Sequence, residues 1–200
     1  MRDRIISALY RSGLALDRDL PRNIWPALPQ NSAYGDLTSA AVLVPLIDHA
    51  AGMSVLLTQR TENMADHSGQ ISFPGGRWEP SDLSPEDTAL RETEEEIGID
   101  RRQIQIIGRL TAHDTRTGYY VMPVIGLVAP PLALSPQPSE VAHIFEVPLD
   151  FVLDPAHHRM ETYKRAESGR KHRAMPYGEH YIWGLTARVL YELSTVLRGS

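Results

Sequence analysis

Residues 75–99, GGRWEPSDLSPEDTALRETEEEIGI, hold the densest set of structural signals in the chain. Ser84 is a candidate N-cap, Pro85 suits the first helical position, and Asp87 stands three residues after the cap. Gly98 suits the C-terminal end of a helix because glycine adopts the left-handed conformation at little cost. The stretch therefore predicts a glycine-rich loop followed by a helix that ends at Gly98.

Three glutamates of this helix, Glu92, Glu95 and Glu96, are spaced to lie on one face. Their like charges repel, and a divalent cation such as Mg²⁺ or Mn²⁺ would relieve that repulsion with oxygen ligands. Arg91 can lean toward Glu95 and hold it in place. An acidic run alone is more typical of a solvated surface. With the glycines, the cap and the arginine also in place, the pattern favours a metal site.

The same stretch resembles the Nudix box: a glycine, five residues, a glutamate, seven residues and REUxEExGU, where U is bulky and apolar. Gly76 begins the match and residues 91–99 complete it. Asp82 replaces the glutamate, one extra residue precedes Arg91, and Thr93 takes an apolar place. The resemblance implies a hydrolase of nucleoside diphosphates linked to another group. It also implies an α+β fold, an α/β/α sandwich around a mixed β-sheet.

Segments on both sides of the box resemble the coenzyme A (CoA) diphosphatase branch of this family. They are 56–61 (LLTQRT), His67, 69–70 (GQ), 73–76 (FPGG), 117–119 (TGY), 123–126 (PVIG), 140–141 (EV), 145–149 (FEVPL) and 183–187 (WGLTA). The departures at Asp82 and in the box spacing also resemble this branch. Ala65 does not, because the branch usually carries a basic residue there, in a segment associated with CoA recognition. Ala65 therefore bears on the identity of the substrate and not on the hydrolysis.

The resemblance implies roles for the acidic residues. Glu92 and Glu96 would be the main metal ligands, with Glu95 and the Gly75 carbonyl as further ligands. Either a helix carboxylate such as Glu95 or the loop residue Glu140 would take the proton from water. The sequence leaves that choice open. Arg91 would complete the catalytic group.

Four further residues are candidates for substrate binding: Arg60, Arg77, His67 and Gly76. Paired arginines suit phosphate oxygens, although each arginine alone would be read as a solvated charge. A lone histidine is more often a surface or core residue than a catalytic one. The glycines of 73–76 allow the backbone to approach a metal or phosphate closely.

Composition and net charge limit the classes of protein to which the chain can belong. The chain has 200 residues, a formal net charge of −5 and no cysteine. These values indicate one globular domain without disulfides or a thiolate site, in a reducing compartment such as the cytoplasm. The charge argues against a nucleic-acid or membrane-surface binder and allows a local basic pocket for a small nucleotide. The sequence leaves open whether the chain forms homo-oligomers.

Hydrophobic periodicity predicts the order of elements. A helix over 3–16 and an irregular lead-in to residue 39 would pack on a Nudix domain of residues 40–200. Within that domain we expect a hairpin (40–47 and 53–58), the box helix, strands at 104–110, 120–128 and 142–147, a short helix at 148–152 and a final helix at 181–197. Residues 155–180 are expected to form a polar surface excursion, with His157, His158 and 171–173 exposed, and Trp183 and Leu185 are expected in the core.

Three functional hypotheses remain open on the sequence. The first is a CoA or acyl-CoA diphosphatase dependent on Mg²⁺ or Mn²⁺. The second is a Nudix hydrolase of another nucleoside diphosphate, such as ADP-ribose or a dinucleotide. The third is a non-catalytic domain that binds a nucleotide, which the complete set of box glutamates argues against.

Overall fold

The computed structural model describes residues 1–16, 25–29, 32–62, 69–162 and 171–199. His67 and Ala65 lie outside these residues. Within the described residues there are four α-helices: α1 (Arg2–Arg11), α2 (Pro85–Ile97), α3 (Leu149–Leu153) and α4 (Gly184–Arg198). The strands of the main sheet are β1 (Thr38–His49), β2 (Gly52–Arg60), β3 (Ile71–Ser72), β4 (Gly75–Arg77), β5 (Ile104–Arg109), β6 (His113–Asp114), β7 (Tyr119–Val128) and β8 (Val141–Pro148).

The main sheet is mixed. Its central pair, β1 and β7, is parallel over ten residue pairs, and the other pairings are antiparallel. The strand order is β3-β2-β1-β7-β5, with β4 also on β1, β6 on β7 and β8 on β2. The predicted hairpin is confirmed, since β1 and β2 pair antiparallel around the turn after His49.

Helices cover both faces of this sheet. Successive side chains of a strand point to opposite faces, and β1 divides accordingly: Val44 and Leu46 lie in one core and Leu43 and Ile47 in the other. The first core includes residues of α1, α3 and α4, and the second includes Ala89 and Ile97 of α2. The predicted α+β class and α/β/α sandwich are thereby confirmed.

Helix α1 is shorter than the sequence predicts. It ends at Arg11 with Ser12 as the C-cap, and the following residues run beside β5, where the Leu16 N–H donates to the Ile107 carbonyl. Its apolar face, with Leu9 fully buried, contributes to the same core as α4. The division into an N-terminal lead-in over 1–39 and a Nudix domain over 40–200 stays a prediction. Among the described residues, each helix is too short or too polar to cross a membrane.

The expectation of a surface excursion over 155–180 is wrong for its described part. Three strands form a second antiparallel sheet: β9 (Arg159–Thr162), β10 (Lys171–Tyr177) and β11 (His180–Trp183). This sheet packs on α4 and buries Met175 and Ile182 in the first core. Because β11 pairs with β10 up to Trp183, α4 begins at Gly184 and not at Tyr181.

Lys171 is exposed as predicted, but the four other residues of this group are partly buried: His157, His158, His172 and Arg173. His157 stacks on Phe151 at 3.6 Å between ring centroids, and the His158 ring is 2.7 Å from the Val152 carbonyl. The Arg173 guanidinium lies 3.3 Å from the centroid of the Tyr191 ring. Trp183 and Leu185, expected in the core, are only partly buried.

Candidate active site

Helix α2 is placed as its capping signals predict. The Ser84 hydroxyl accepts a hydrogen bond from the Asp87 N–H at 3.2 Å, Pro85 begins the helix, and Gly98 ends it with φ +77°. The helix contacts β1 and β4, and Ala89 is fully buried between helix and sheet. This packing brings its acidic face next to the glycine pair that precedes it.

Asp82 anchors the loop to the helix through Arg91. The Arg91 guanidinium donates from Nε to Oδ1 and from Nη2 to Oδ2, each at 3.0 Å. Asp82 also accepts from the Thr88 hydroxyl at 2.7 Å and from the Glu79 N–H at 3.0 Å. Burial alone would raise the pKa of Asp82, but these hydrogen bonds and the nearby positive charge lower it overall.

Arg91 connects this anchor to the acidic face. Its Nη1 donates to Glu92 at 2.9 Å and to Glu95 at 3.1 Å, and its Nη2 also donates to the Arg77 carbonyl at 3.0 Å. The predicted lean of Arg91 toward Glu95 is confirmed. These contacts are those of a positioning residue, since the guanidinium is fully engaged in holding loop and carboxylates.

Glu96 is the most buried of the three glutamates on the acidic face of α2. Its side chain is 6% exposed, accepts from the Gly75 N–H at 3.2 Å, and lies 3.8 Å from Nη1 of Arg60. Burial is the main cause that raises its pKa to about 8; Gly75 and Arg60 oppose the rise, and the charges of Glu92 and Glu140 add to it. The surrounding protein therefore supplies too little positive charge for this carboxylate.

Glu92 lies directly over Gly76. A Cβ at residue 76 would come within 2.5 Å of the Glu92 carboxylate, so any larger residue there would push this carboxylate aside. Burial raises the pKa of Glu92, partly offset by Arg91, while Glu95 and Glu140 raise it further. Gly75 is equally constrained: its φ is +152°, and a Cβ there would lie 2.4 Å from the Ala41 carbonyl oxygen.

The three glutamates of the predicted face do not point the same way. Glu92 and Glu96 turn into the fold, whereas the Glu95 side chain is 61% exposed at the rim and pairs with Arg91. Within the described part of the chain, no three acidic, histidine or cysteine side chains converge closely enough to hold a metal ion as they stand. The chemistry of the donor set nevertheless fits a divalent cation, because carboxylate oxygens are its preferred ligands and the charges of Glu92 and Glu140 both act on the buried Glu96.

Glu140 is held beside this group by the preceding loop. Its carbonyl accepts from the Thr61 N–H at 3.0 Å, and its own N–H donates to the Gln137 carbonyl at 3.0 Å. The loop is in turn bonded to the end of α2, where the Gln137 N–H donates to the Glu96 carbonyl at 2.8 Å. The charge of Glu140 accordingly acts on both Glu92 and Glu96.

The predicted substrate residues divide into two groups. Arg60 lies at the carboxylates, and its Nε is buried without a hydrogen-bond partner among the described residues. Arg77 is not brought there: it pairs with Ala40 of β1, and its guanidinium lies 5.2 Å from the centre of the Tyr119 ring. Since neighbouring residues of a strand face opposite sides, Gly76 faces α2 and Arg77 faces away from it. The Arg77 guanidinium therefore lies on the opposite side of β4 from the carboxylates.

Some contributors to the site are not evident in the sequence. Thr88 donates to Asp82, and Ser135 and Gln137 close the carbonyl end of α2, with the Ser135 N–H 2.9 Å from the Ile97 carbonyl. Thr88 is a polar residue on the buried side of the helix, a pattern that could have indicated a hydrogen bond. The loop contacts depend on tertiary structure and leave no local signal.

Comparison with known proteins defines the class. The family model of the NUDIX domain matches residues 37–168, and the chain belongs to this family of hydrolases. It is 42% identical over 158 residues to the uncharacterized Nudix hydrolase NudL of Photorhabdus laumondii, covering 78% of this chain and 82% of that one. It is 40% identical over 188 residues to NudL of Citrobacter koseri, covering 93% and 96%.

A solved structure agrees in fold. The NUDIX hydrolase from Alicyclobacillus acidocaldarius superimposes with a TM-score of 0.51 at 21% identity, over 82% of this chain and 93% of that one. The family match and the NudL relatives make the protein a Nudix hydrolase of nucleoside diphosphate derivatives. Nudix hydrolases generally use divalent metal ions such as Mg²⁺.

Proposed function

We propose that the protein hydrolyses the diphosphate of CoA or acyl-CoA. The products would be 3′,5′-ADP and 4′-phosphopantetheine, or its acylated form. One observation of the site carries the proposal that it is catalytic: Glu96 is buried, the charges of Glu92 and Glu140 act on it, and among the described residues Arg60 is the cation that opposes them. The substrate class is supported by the motifs shared with the CoA diphosphatase branch on both sides of the box.

Glu92 and Glu96 would hold the cation, with the Glu95 carboxylate and the Gly75 carbonyl as further ligands. A bound divalent cation supplies charge neutralisation at the diphosphate oxygens. Both main ligands have the required oxygens, and the loop glycines let the backbone approach closely. Glu95 would act mainly from the rim, because Arg91 holds it outside the buried group.

Water attack on one phosphorus breaks its bond to the bridging oxygen, which leaves with the other phosphate. Glu140 would accept a proton from the attacking water, because its charge acts on both Glu92 and Glu96, whereas Glu92 and Glu95 are already hydrogen-bonded to Arg91. Arg60 would donate from its buried Nε to a phosphate oxygen, which would satisfy the unpartnered donor. The ion pair between Arg91 and Asp82 would hold the loop in a fixed position against the helix during the reaction.

Ala65 supports one alternative substrate class. It removes the basic residue of the CoA-recognition segment and so favours a hydrolase that accepts other nucleoside diphosphates, such as ADP-ribose or a dinucleotide. Loss of one cation weakens selection for the CoA 3′-phosphate, and it leaves the carboxylate group unchanged.

A substrate panel tests the proposal. CoA, dephospho-CoA, ADP-ribose, NADH and nucleoside triphosphates are incubated with Mg²⁺, Mn²⁺ or EDTA, and products are separated by chromatography. We expect CoA to yield 3′,5′-ADP only with a metal, and Glu96→Gln to be inactive as the matched control. Cleavage of ADP-ribose with no cleavage of CoA would establish the alternative. Tight binding without cleavage of any compound would identify a binding domain.

A further inference from the structure

Trp78 is a large aromatic side chain exposed beside the candidate active site. It is 42% exposed and follows Gly76 and Arg77, the residues that end β4. Its backbone N–H donates to the Ser39 carbonyl at 3.0 Å and so continues the pairing of β4 with β1. Alternation along this extended segment puts Trp78 on the side of Gly76, toward α2.

The indole ring is held in a fixed orientation. Its Nε1–H donates to the Asp82 carbonyl at 3.0 Å, and Trp25 packs against it with ring centroids 6.4 Å apart and planes at 72°. An edge-to-face partner covers at most one face of a ring. The ring is therefore partly open and already oriented, which reduces the entropy lost when a planar ligand stacks on it.

Contacts through Arg91 place this ring close to the reacting groups. The Arg77 carbonyl, one residue before Trp78, accepts from Arg91, and the same guanidinium donates to Glu92. The Asp82 residue that fixes the indole also holds Arg91. Trp78 is thus joined to the carboxylates by consecutive hydrogen bonds through Asp82 and Arg91, within one loop-and-helix unit.

We propose that Trp78 stacks against the base of the nucleoside diphosphate and is a binding residue for the nucleoside half of the substrate. The proposal rests on the proposed function in that its substrates carry adenine. Stacking of a base on an aromatic side chain contributes about 1–3 kcal/mol and tolerates different bases. Trp78 therefore provides affinity for the nucleoside half, while Arg60 and the carboxylates act on the diphosphate.

Binding of two non-hydrolysable ligands tests this directly. α,β-Methylene-ADP carries the base, and methylenediphosphonate carries only the diphosphate mimic. We expect calorimetry with Mg²⁺ to show a Kd for α,β-methylene-ADP about tenfold higher in Trp78→Ala than in wild type, equivalent to about 1.4 kcal/mol. The Kd for methylenediphosphonate should stay unchanged. Trp78→Phe, which keeps a ring and loses the Nε1 donor, should stay within about threefold of wild type.

Matched controls separate stacking from a structural effect. Leu83→Ala removes another exposed apolar side chain, 62% exposed in the same loop, and should leave both affinities unchanged. Equal weakening of both ligands in Trp78→Ala, or weakening in Trp78→Phe as large as in Trp78→Ala, would show that the ring only supports Asp82. Unchanged affinity for α,β-methylene-ADP would overturn the proposal outright.

The test is independent of the reaction catalysed. Base-dependent binding can be found even if CoA is not cleaved, in which case the stacking proposal stands and the proposed function fails. Conversely, CoA hydrolysis with an unchanged KM in Trp78→Ala would retain the proposed function and reject stacking.

Discussion

Asp82 and Arg91 form a two-pronged ion pair, with Nε and Nη2 each 3.0 Å from a different carboxylate oxygen. The pair is nearly closed to solvent on the Asp82 side, whose side chain is 4% exposed. It joins the glycine-rich loop to the middle of α2 and leaves Nη1 of Arg91 to hold Glu92 and Glu95. Loop geometry and carboxylate geometry are thus set by one guanidinium.

Asp82→Asn should lower stability in a pH-dependent way. The folded pKa of Asp82 lies below its unfolded value, which is about 3.9. The ionised Asp82 therefore contributes fully to the free energy of unfolding above pH 4 to 5, and this contribution is lost as the pH falls through the folded pKa. We expect urea unfolding at pH 7 to show a loss of about 2 kcal/mol in the variant. The difference should shrink below pH 4. Glu94→Gln, on the exposed face of α2, is the control. If the difference in unfolding free energy between Asp82→Asn and wild type stays constant from pH 7 to below pH 4, the lowered pKa assigned to Asp82 is contradicted.

Gly76→Ala should displace Glu92. The new Cβ would meet the carboxylate at 2.5 Å, and its backbone conformation is otherwise open to alanine. We expect a fall in kcat of at least about tenfold, since a displaced ligand loses transition-state stabilisation. A double-mutant cycle with Glu92→Ala measures the coupling, because the clash disappears with the side chain. Additive effects of the two changes would show that the close approach is unimportant.

Glu96→Gln and Glu92→Gln should each lower kcat by about a hundredfold or more. Each removes a charged ligand and nearly preserves the shape of the side chain. In EDTA, at a pH above the Glu96 pKa of about 8, the melting temperature of Glu96→Gln should equal or exceed that of wild type, because the wild-type protein then carries a buried negative charge that the variant lacks. Addition of Mg²⁺ should raise the melting temperature of wild type more than that of either variant. Wild-type turnover in either variant would exclude this carboxylate group as the metal site.

Glu140→Gln should slow kcat more than it raises KM. That split is expected for a group that takes part in proton transfer and contributes little to ground-state binding. Steady-state kinetics of Glu140→Gln and of the neighbouring loop variant Ser139→Ala provide the comparison. If kcat is unchanged in Glu140→Gln, the base is a helix carboxylate, and Glu95 is the next candidate.

Ala65 leads us to expect weak selection for the 3′-phosphate of CoA. A charge-assisted contact would be required to recognise this dianion strongly. We predict that kcat/KM for CoA and dephospho-CoA differ by less than about tenfold, or about 1.4 kcal/mol. Ala65→Arg should shift the ratio toward CoA. A preference of a hundredfold or more in wild type would mean that another cation covers the phosphate.

The parts of the fold that the sequence predicted are those with strong local signals. The first hairpin has two apolar runs around a short turn, and α2 has both caps, so neither depends on distant partners. The second sheet was missed because β9 and β10 are polar, half-exposed strands whose pairing is visible only in three dimensions. The start of α4 was misplaced because the apolar residues of β11 continue the helical periodicity without a break.

In the candidate active site, too, local spacing could be predicted from the sequence, whereas features that depend on tertiary contacts could not. Spacing predicted which glutamates are neighbours, and the structure adds that Glu95 is tied outward by Arg91 while Glu96 is buried. The orientation of Arg77 depends on its register against Ala40. The environment of Glu140 depends on a loop anchored at the end of α2. Long-range pairings of this kind have no periodic trace in one sequence.

The ion pair between Asp82 and Arg91 also has a consequence for how motifs are compared. Aspartate is one methylene shorter than the glutamate of the box, and the connection to the arginine is one residue longer. Because the carboxylate still meets both prongs of the guanidinium, the longer connection compensates for the shorter side chain. Side-chain length and loop length are therefore coupled here: Asp82→Glu alone, or deletion of Leu83 alone, should be harmful, and the two together should be tolerated.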